Sequence, residues 1–350
     1  MARRPGEARS GHPTAVVKVE TVDYHTGGEP FRIVVGGVPD LEGRTILERR
    51  RWAAQHVDDV RHLLIDEPRG HADMYGGFVT PPNDDDADLG VVFFHNEGYS
   101  TACGHGTIAL VTWALDSGRL PADGAEVAVT VDVPSGRLAC RATLRDGRVE
   151  RVAFRNVPSF VVATGVTVDT TVGPIAVDVA YGGAFYGSVD VRELRLDVSR
   201  GSLPELIALQ RELRPALDAA LDPVHPDEPE LRGIYGVTFW QAERPEEGAD
   251  LVQRNVTVFA DGEVDRSPCG SGTSARLALL EASGELPRDA HLRHRSIVDS
   301  VFDGRVVGDG PAIGGRPSVI TEVGGSAYRT GTHVFELDPR DPLGTGFLLR

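Results

Sequence analysis

The sequence predicts an α/β (α+β) protein built from two pseudo-symmetric domains, and three observations carry that expectation. The chain has 350 residues, beyond the size at which a single hydrophobic core usually stops growing. Short Val-rich segments of strand character alternate with a few segments of helical periodicity. One phrase is also written twice, as "CGHGTIALVTWALDSGRL" from Cys103 and as "CGSGTSARLALLEASGEL" from Cys269. The copies align without a gap at an offset of 166 residues, from 103 to 269. They agree at Cys103/Cys269, Gly104/Gly270, Gly106/Gly272, Thr107/Thr273 and Ala109/Ala275, and again at Ser117/Ser283, Gly118/Gly284 and Leu120/Leu286.

Taken in order, "MARRPGEARSGHPT" (1–14) is charged, carries Gly and Pro and lacks an apolar centre, so it reads as a disordered leader rather than a signal peptide. "VVKVETVDYHTGGEPFRIVVGGV" reads as strand, Gly-Gly-Glu-Pro turn and strand. Thr45 followed by Glu48 is a capping box, and Trp52, Val57, Val60, Leu63 and Leu64 give the helix it opens an apolar face. "ADLGVVFFHNEGYST" is a buried strand ending in a turn, after which Cys103 opens a second helix. "EVAVTVDV", "GRLACRATL" and "RVERVAFRNV" are strands, and the alternation of Leu138, Cys140, Ala142 and Leu144 puts Cys140 on an inward face as a structural thiol.

The second half follows the same plan. "GPIAVDVAYGGAFYGSVDV" is strand-forming and precedes a helix with Ser202 as cap and Glu205 three positions on. "LDPVHPDEPELRG" is an acidic, Pro-rich loop, "YGVTFWQAE" and "VQRNVTVFADGEVD" are strands, and Cys269 opens the matching helix. "HLRHR" (291–295) reads as a basic surface cluster with its histidines at helical spacing. The expected division is a first domain of residues 15–160 plus 326–350, carrying Cys103, and a second of residues 161–325, carrying Cys269.

A formal net charge of −16 argues against nucleic acid as a partner, since phosphate binding needs a basic footprint. No apolar run approaches the roughly 20 residues of a membrane span. Three widely spaced cysteines do not make a disulfide framework, which suggests a reduced, cytoplasmic protein.

The doubled motif carries the chemistry. Each cysteine sits at a helix start, where free N–H groups and the positive end of the dipole favour anions and a thiolate. The glycines that follow let a ligand approach bare backbone. Two such starts facing across a cleft would grip one small carboxylate and place a sulfur on each face of its α-carbon. One thiolate then removes the α-proton and the opposite thiol returns one, inverting the centre without metal or organic cofactor. Asp265, four residues before Cys269, can accept from a substrate ammonium, and His105 can contact that nitrogen or the thiol. A phosphate loop is the competing motif, but it lacks the Lys-Ser/Thr that should follow, and "GHGT" is too short for a dinucleotide fingerprint.

From about Val17 onward the chain resembles the proline racemases, a family that includes hydroxyproline 2-epimerases and trans-3-hydroxy-L-proline dehydratases. The likeness rests on "DYHTGGEPFRIVVGG", "MYGGFVTPP", "NEGYSTACGHGTIAL", "YGGAFY", "VDRSPCGSGTSAR", "SIVDSVFDGRV" and "GSAYRTG". It implies a diaminopimelate-epimerase-like arrangement with the active site in the interdomain cleft, and cofactor-independent catalysis by Cys103 and Cys269. It further implies carboxylate binding by the amides of Gly104, His105, Gly270 and Ser271, with His105 and Asp265 near the ring nitrogen, no metal, and a homodimer. Two features depart from the pattern or divide it. Ala102 stands where relatives often have Met. "YGGAFYGSVD" and "GYSTACGHGTIAL" are similar to the dehydratase branch, yet that branch typically carries Thr in place of the second cysteine, and this chain has Cys269. The expected activity is therefore inversion at Cα of proline or 4-hydroxyproline. Dehydration of trans-3-hydroxy-L-proline is the alternative, and a non-catalytic binder of small amino acids is the third reading.

Overall fold

A computed structural model of the chain describes residues 17–349. The expected leader, residues 1–14, lies outside them. The chain opens with the antiparallel pair β1 (Val17–Thr26) and β2 (Glu29–Gly36), turned at Gly27 and Gly28, both of which have positive φ. Helices α1 (Ile46–His56) and α2 (Asp58–Ile65) lead to β3 (Tyr75–Thr80), parallel to β2. β4 (Leu89–His95) runs back along β3, and α3 (Gly104–Asp116) crosses over to β5 (Glu126–Val133), parallel to β4. β6 (Gly136–Arg145) and β7 (Arg148–Arg155) extend the sheet as an antiparallel meander.

The next strands are β8 (Phe160–Thr170), β9 (Gly173–Tyr181) and β10 (Phe185–Asp190), with β9 antiparallel to both β8 and β10. α4 (Leu203–Leu221) and a small hairpin, β11 (Val224–His225) with β12 (Glu228–Arg232), lead to β13 (Ile234–Ala242), parallel to β10. β14 (Leu251–Phe259) returns along β13, and the three-residue β15 (Glu263–Asp265) folds back on its end. α5 (Gly270–Ser283) then crosses to β16 (Leu292–Ser296), parallel to β14, and β17 (Val301–Ile313) and β18 (Arg316–Gly325) follow as a meander. The last strand, β19 (Ala327–Leu337), pairs antiparallel with β1 from Val17 to Thr26.

These pairings spell one plan twice. The order β19-β1-β2-β3-β4-β5-β6-β7 is matched by β8-β9-β10-β13-β14-β16-β17-β18, with parallel and antiparallel steps in the same places. The two sets meet where β7 pairs antiparallel with β18. α3 occupies in the first set the crossover that α5 occupies in the second.

Local chemistry explains most of the elements. Thr45 and Glu48 form the expected capping box, each satisfying the other's backbone N–H. The single helix expected beyond it is two, because buried Val57 leaves helical geometry (φ −127°, ψ 18°) and Asp58 and Asp59 start afresh with acids in the first turn. Ser202 precedes α4 but does not cap it, since its hydroxyl donates to Asp197 instead. α3 is buried from Gly104 to Leu115 and α5 from Gly270 to Leu280, on every face, although α5 includes Ser271, Thr273, Ser274 and Arg276. α3 packs on β1, β2, β7 and β19, and α5 on β8, β9, β10, β17 and β18. Cys140 lies on the inward face of β6, opposite Val129 and Phe154.

"HLRHR" departs from expectation. It forms β16, so period two replaces helical spacing: Leu292, His294 and Ser296 are fully buried. His294 Nδ1 lies 2.8 Å from Thr273 Oγ1 at the start of α5, while Arg293 and Arg295, on the other face, pair with Glu246.

Candidate active site

The starts of α3 and α5 touch. A β-carbon built on Gly104 would lie 2.6 Å from Gly270 Cα, and one on Gly270 would lie 2.7 Å from Gly104 Cα. Only glycine permits that approach. It brings the two cysteines, each the cap residue of its helix, to the lining of one small space between the helix starts. The lining of that space includes every residue anticipated from the sequence: Cys103, Gly104, His105, Asp265, Cys269, Gly270 and Ser271. At each helix start the first N–H groups lack intrahelical acceptors, so two amide sets converge on one cavity.

The two caps differ in detail. Cys103 has extended backbone and its Sγ accepts from Gly106 N–H at 3.2 Å. Cys269 sits at φ 61°, ψ 103°, a conformation costing a side-chain-bearing residue about 1–3 kcal/mol. Its N–H donates to Ser267 Oγ at 3.1 Å, one of the contacts that hold it there. Such strain is commonly stored where a side chain must be aimed.

The electrostatics correct one expectation. The helix starts suggested thiols tuned toward thiolate, but both are pushed the other way. Burial raises Cys103 well above an ordinary thiol, with the negative charges of Asp265, Cys269 and Glu29 adding to it against the Gly106 N–H. Burial raises Cys269 as well, with Asp265 adding to it. In a cavity this closed, the cost of dehydrating a charge exceeds the stabilisation by the helix start. Asp265, fully buried, is pushed up to about 6 by burial, against the Ser267 N–H that it accepts at 2.8 Å. Glu29 is also raised well above an ordinary carboxyl, by burial and then by Asp265, against Arg266. Burial lowers His105 to about 3, so its imidazole is neutral, 3.5 Å (Nδ1) and 3.6 Å (Nε2) from Cys103 Sγ. Among the described residues no Lys or Arg lines the cavity.

The sum of these features is specific. Two helix starts favour an anion, whereas the buried Asp265 carboxyl, with no Lys or Arg in the described lining, favours a ligand cation. A zwitterionic α-amino or imino acid answers both demands.

Sequence reasoning passed over the hydroxyls. Tyr75 donates to Ser100 Oγ and its oxygen lies 3.2 Å from Tyr235 Oη, while Tyr186 Oη lies 2.7 Å from Ser271 Oγ and 3.9 Å from Cys269 Sγ. Tyr75, Tyr186 and Tyr235 all line the cavity. Burial raises all three phenols well above their usual range, so they stay protonated and able to donate. "MYGGF" and "YGGAFY" held the signal for two of them, but nothing local marks a phenol as facing a cavity rather than filling a core. Glu29, in "TGGEP", was passed over for the same reason. Cys140 is absent from the lining, and burial pushes its thiol up to about 12.

Comparison with known proteins agrees with this geometry. A family model described as proline racemase matches residues 21–348. The chain is 44% identical over 329 residues to a trans-3-hydroxy-L-proline dehydratase of Bacillus cereus, covering 94% of this chain and 97% of that one. It is 45% identical to a 3-hydroxyproline 2-epimerase of Burkholderia multivorans, covering 95% and 98%. Among solved structures, a hydroxyproline epimerase from Agrobacterium vitis with bound trans-4-hydroxy-L-proline superposes with a TM-score of 0.87 at 33% identity, covering 95% and 96%.

Proposed function

Because this chain belongs to the proline racemase family, we propose that it inverts Cα of a hydroxylated proline by proton transfer between Cys103 and Cys269. The observation that carries the reading is the meeting of two cysteine-capped helix starts at one cavity lined by the buried Asp265 carboxyl and, among the described residues, by no Lys or Arg. The substrate carboxylate takes the amides of Gly104, His105, Gly270 and Ser271. Its ring nitrogen lies by Asp265 and neutral His105. The ring cation places a positive charge beside the thiols, where the lining has no Lys or Arg among the described residues, and so stabilises a thiolate in the bound state. One thiolate removes the α-proton, the amides hold the charge that moves onto the carboxylate, and the opposite thiol delivers a proton to the other face.

The hydroxyls of Tyr75, Tyr186 and Tyr235 support a hydroxylated ring over bare proline, since apolar packing would suffice for the latter. They also favour a second reading, along with relatives named as trans-3-hydroxy-L-proline dehydratases at 43–46% identity. In that reading the same deprotonation is followed by loss of a 3-hydroxyl as water, the proton coming from the opposing thiol or a tyrosine. A cyclic enamine forms and tautomerises to the imine. The presence of Cys269 supports inversion.

The proposal takes the chain as two domains, residues 15–160 plus 326–350 and 161–325, supported by the matched strand orders and by the pairing of β19 with β1. It takes the enzyme as a cytoplasmic homodimer, supported by three unpaired thiols and by the family resemblance. No helix among the described residues is long and apolar enough to cross a membrane.

The test is incubation with L-proline and with the 3- and 4-hydroxyprolines in deuterium oxide. Inversion appears as Cα deuterium with exchange of diastereomers. Elimination appears as an imine that can be trapped or reduced. Absence of Cα exchange with every one of these compounds would refute the proposal, and an unchanged inversion rate in Cys269→Ser would refute the two-thiol mechanism.

A further inference from the structure

Between β14 and Cys269 the chain passes through β15, three residues long, and then Arg266. A segment this short has little internal hydrogen bonding, so outside contacts must place it. One edge of it pairs with β14, and the remaining contacts come from the first strand set. Val264 N–H donates to Asp73 Oδ1 at 3.3 Å. Arg266 Nη2 pairs with Asp73 Oδ2 at 3.0 Å, and Nη1 donates to Asp73 O at 3.2 Å. Arg266 N–H donates to Glu29 Oε2 at 2.7 Å, and its Nη1 lies 3.6 Å from the same oxygen. At the far end of β15, His95 Nδ1 lies 3.2 Å from Glu263 Oε2. Glu29 is fully buried, and its other oxygen, Oε1, has no hydrogen-bond partner. Asp73 is buried at φ 65°.

The residue between these anchors is Asp265. Both of its neighbours are tied across to the first set, so its backbone is held on either side while its carboxyl accepts from Ser267 N–H at 2.8 Å. Four residues further on, the chain enters Cys269 at positive φ, and Gly27 of the β1–β2 turn closes against Ser267, with a built β-carbon 3.3 Å from its Cβ.

We propose that Arg266 is a positioning residue: by bridging Glu29 and Asp73 it straps β15 across the cavity, aims Asp265 and Cys269, and keeps both cavity thiols from water. Removing the guanidinium leaves two buried carboxyls facing an empty place, an arrangement that protein interiors do not tolerate, so the strap lifts. The charged groups facing Glu29 are then Asp265 and Asp73 alone, both repulsive.

The kinetic part of this inference rests on the function proposed above, whereas its thiol-burial part does not. The test uses the full chain as Arg266→Gln and Arg266→Lys, with iodoacetamide as probe and mass spectrometry reading each cysteine. Cys140, buried in β6 away from the cavity, reports global unfolding. In Arg266→Gln, alkylation of Cys103 and Cys269 is expected to rise at least about tenfold while Cys140 stays at the parent rate, as in local rather than global opening. Arg266→Lys, which keeps the charge and one reach, is expected to recover part of the protection. With a turned-over hydroxyproline, kcat is expected to fall about 10²-fold in Arg266→Gln, more than KM rises, because reacting groups are displaced. Equal rates at all three cysteines in variant and parent would overturn the proposal. So would a rise at all three together that Arg266→Lys does not relieve. If the parent turns over no proline derivative, the alkylation result still decides the strap.

Discussion

The Gly104–Gly270 contact supports a prediction whose size follows from the structure. In Gly104→Ala the new Cβ would fall 2.6 Å from Gly270 Cα, 2.9 Å from Phe154 Cζ and 3.1 Å from Gly270 C. Carbon atoms rest at about 3.5–4.0 Å, so the helix starts must part by about 1 Å. The obstacle at Gly270 is backbone and cannot rotate aside. Overpacking of this kind costs about 1–3 kcal/mol, from which up to about 1 kcal/mol is recovered because alanine favours a helix over glycine. The melting temperature should therefore change little. Catalysis should change much more, since about 1 Å of misplacement between reacting groups costs about 10²-fold in rate. Alanine keeps the N–H proposed to hold the carboxylate, so loss of a donor cannot explain the effect. Gly308→Ala, where a β-carbon meets nothing within 4 Å, is the control. The assay is Cα deuterium exchange followed by NMR, beside thermal melts of both variants. If Gly104→Ala exchanged within about threefold of the parent, the two helix starts would not jointly set the reacting distance, and the reasoning would fail.

Two further outcomes are expected. Asp265 holds its proton up to about 6 in the fold, against 3.8 for an ordinary aspartate. The folded chain therefore binds that proton more tightly than the unfolded one, and stability falls as pH rises from about 4 to about 6, by at most about 3 kcal/mol. Asp265→Asn, neutral throughout and still able to accept from Ser267, should melt higher than the parent at pH 8 and equally at pH 3.5 while losing turnover; a variant that melts lower at pH 8 would contradict this. Tyr235→Phe removes one hydroxyl from the ring pocket, worth about 0.5–1.5 kcal/mol, so kcat/KM should drop up to about tenfold for a hydroxyproline and stay level for proline. An equal drop for both substrates would show that Tyr235 reads no ring hydroxyl.

Much of the site was visible in the linear text because its chemistry is local. A cysteine followed by Gly-x-Gly-Thr and an apolar run announces a helix start within five residues, and Thr45 with Glu48 announces a cap within four. The break at Val57 was not visible, since α1 and α2 continue one apolar periodicity and only packing against β4 and β19 separates them. Nor was the burial of His294, because "HLRHR" suits a helix or a strand equally until β14 and β17 take it between them. Tyr75, Tyr235 and Glu29 escaped for a related reason. Phenols and carboxyls acquire a role from what they meet in space, and that neighbour is 160 residues away for Tyr75 and 237 for Glu29.

By itself the sequence determined that two like segments each present a cysteine at a helix start, because capping, periodicity and glycine placement act over a few residues. Only the tertiary structure decided that the two starts meet, that the enclosed thiols are neutral, and that Arg266 ties Asp265 in place. Contact distance and dehydration depend on atoms brought together from opposite ends of the chain, and no short stretch of residues encodes them.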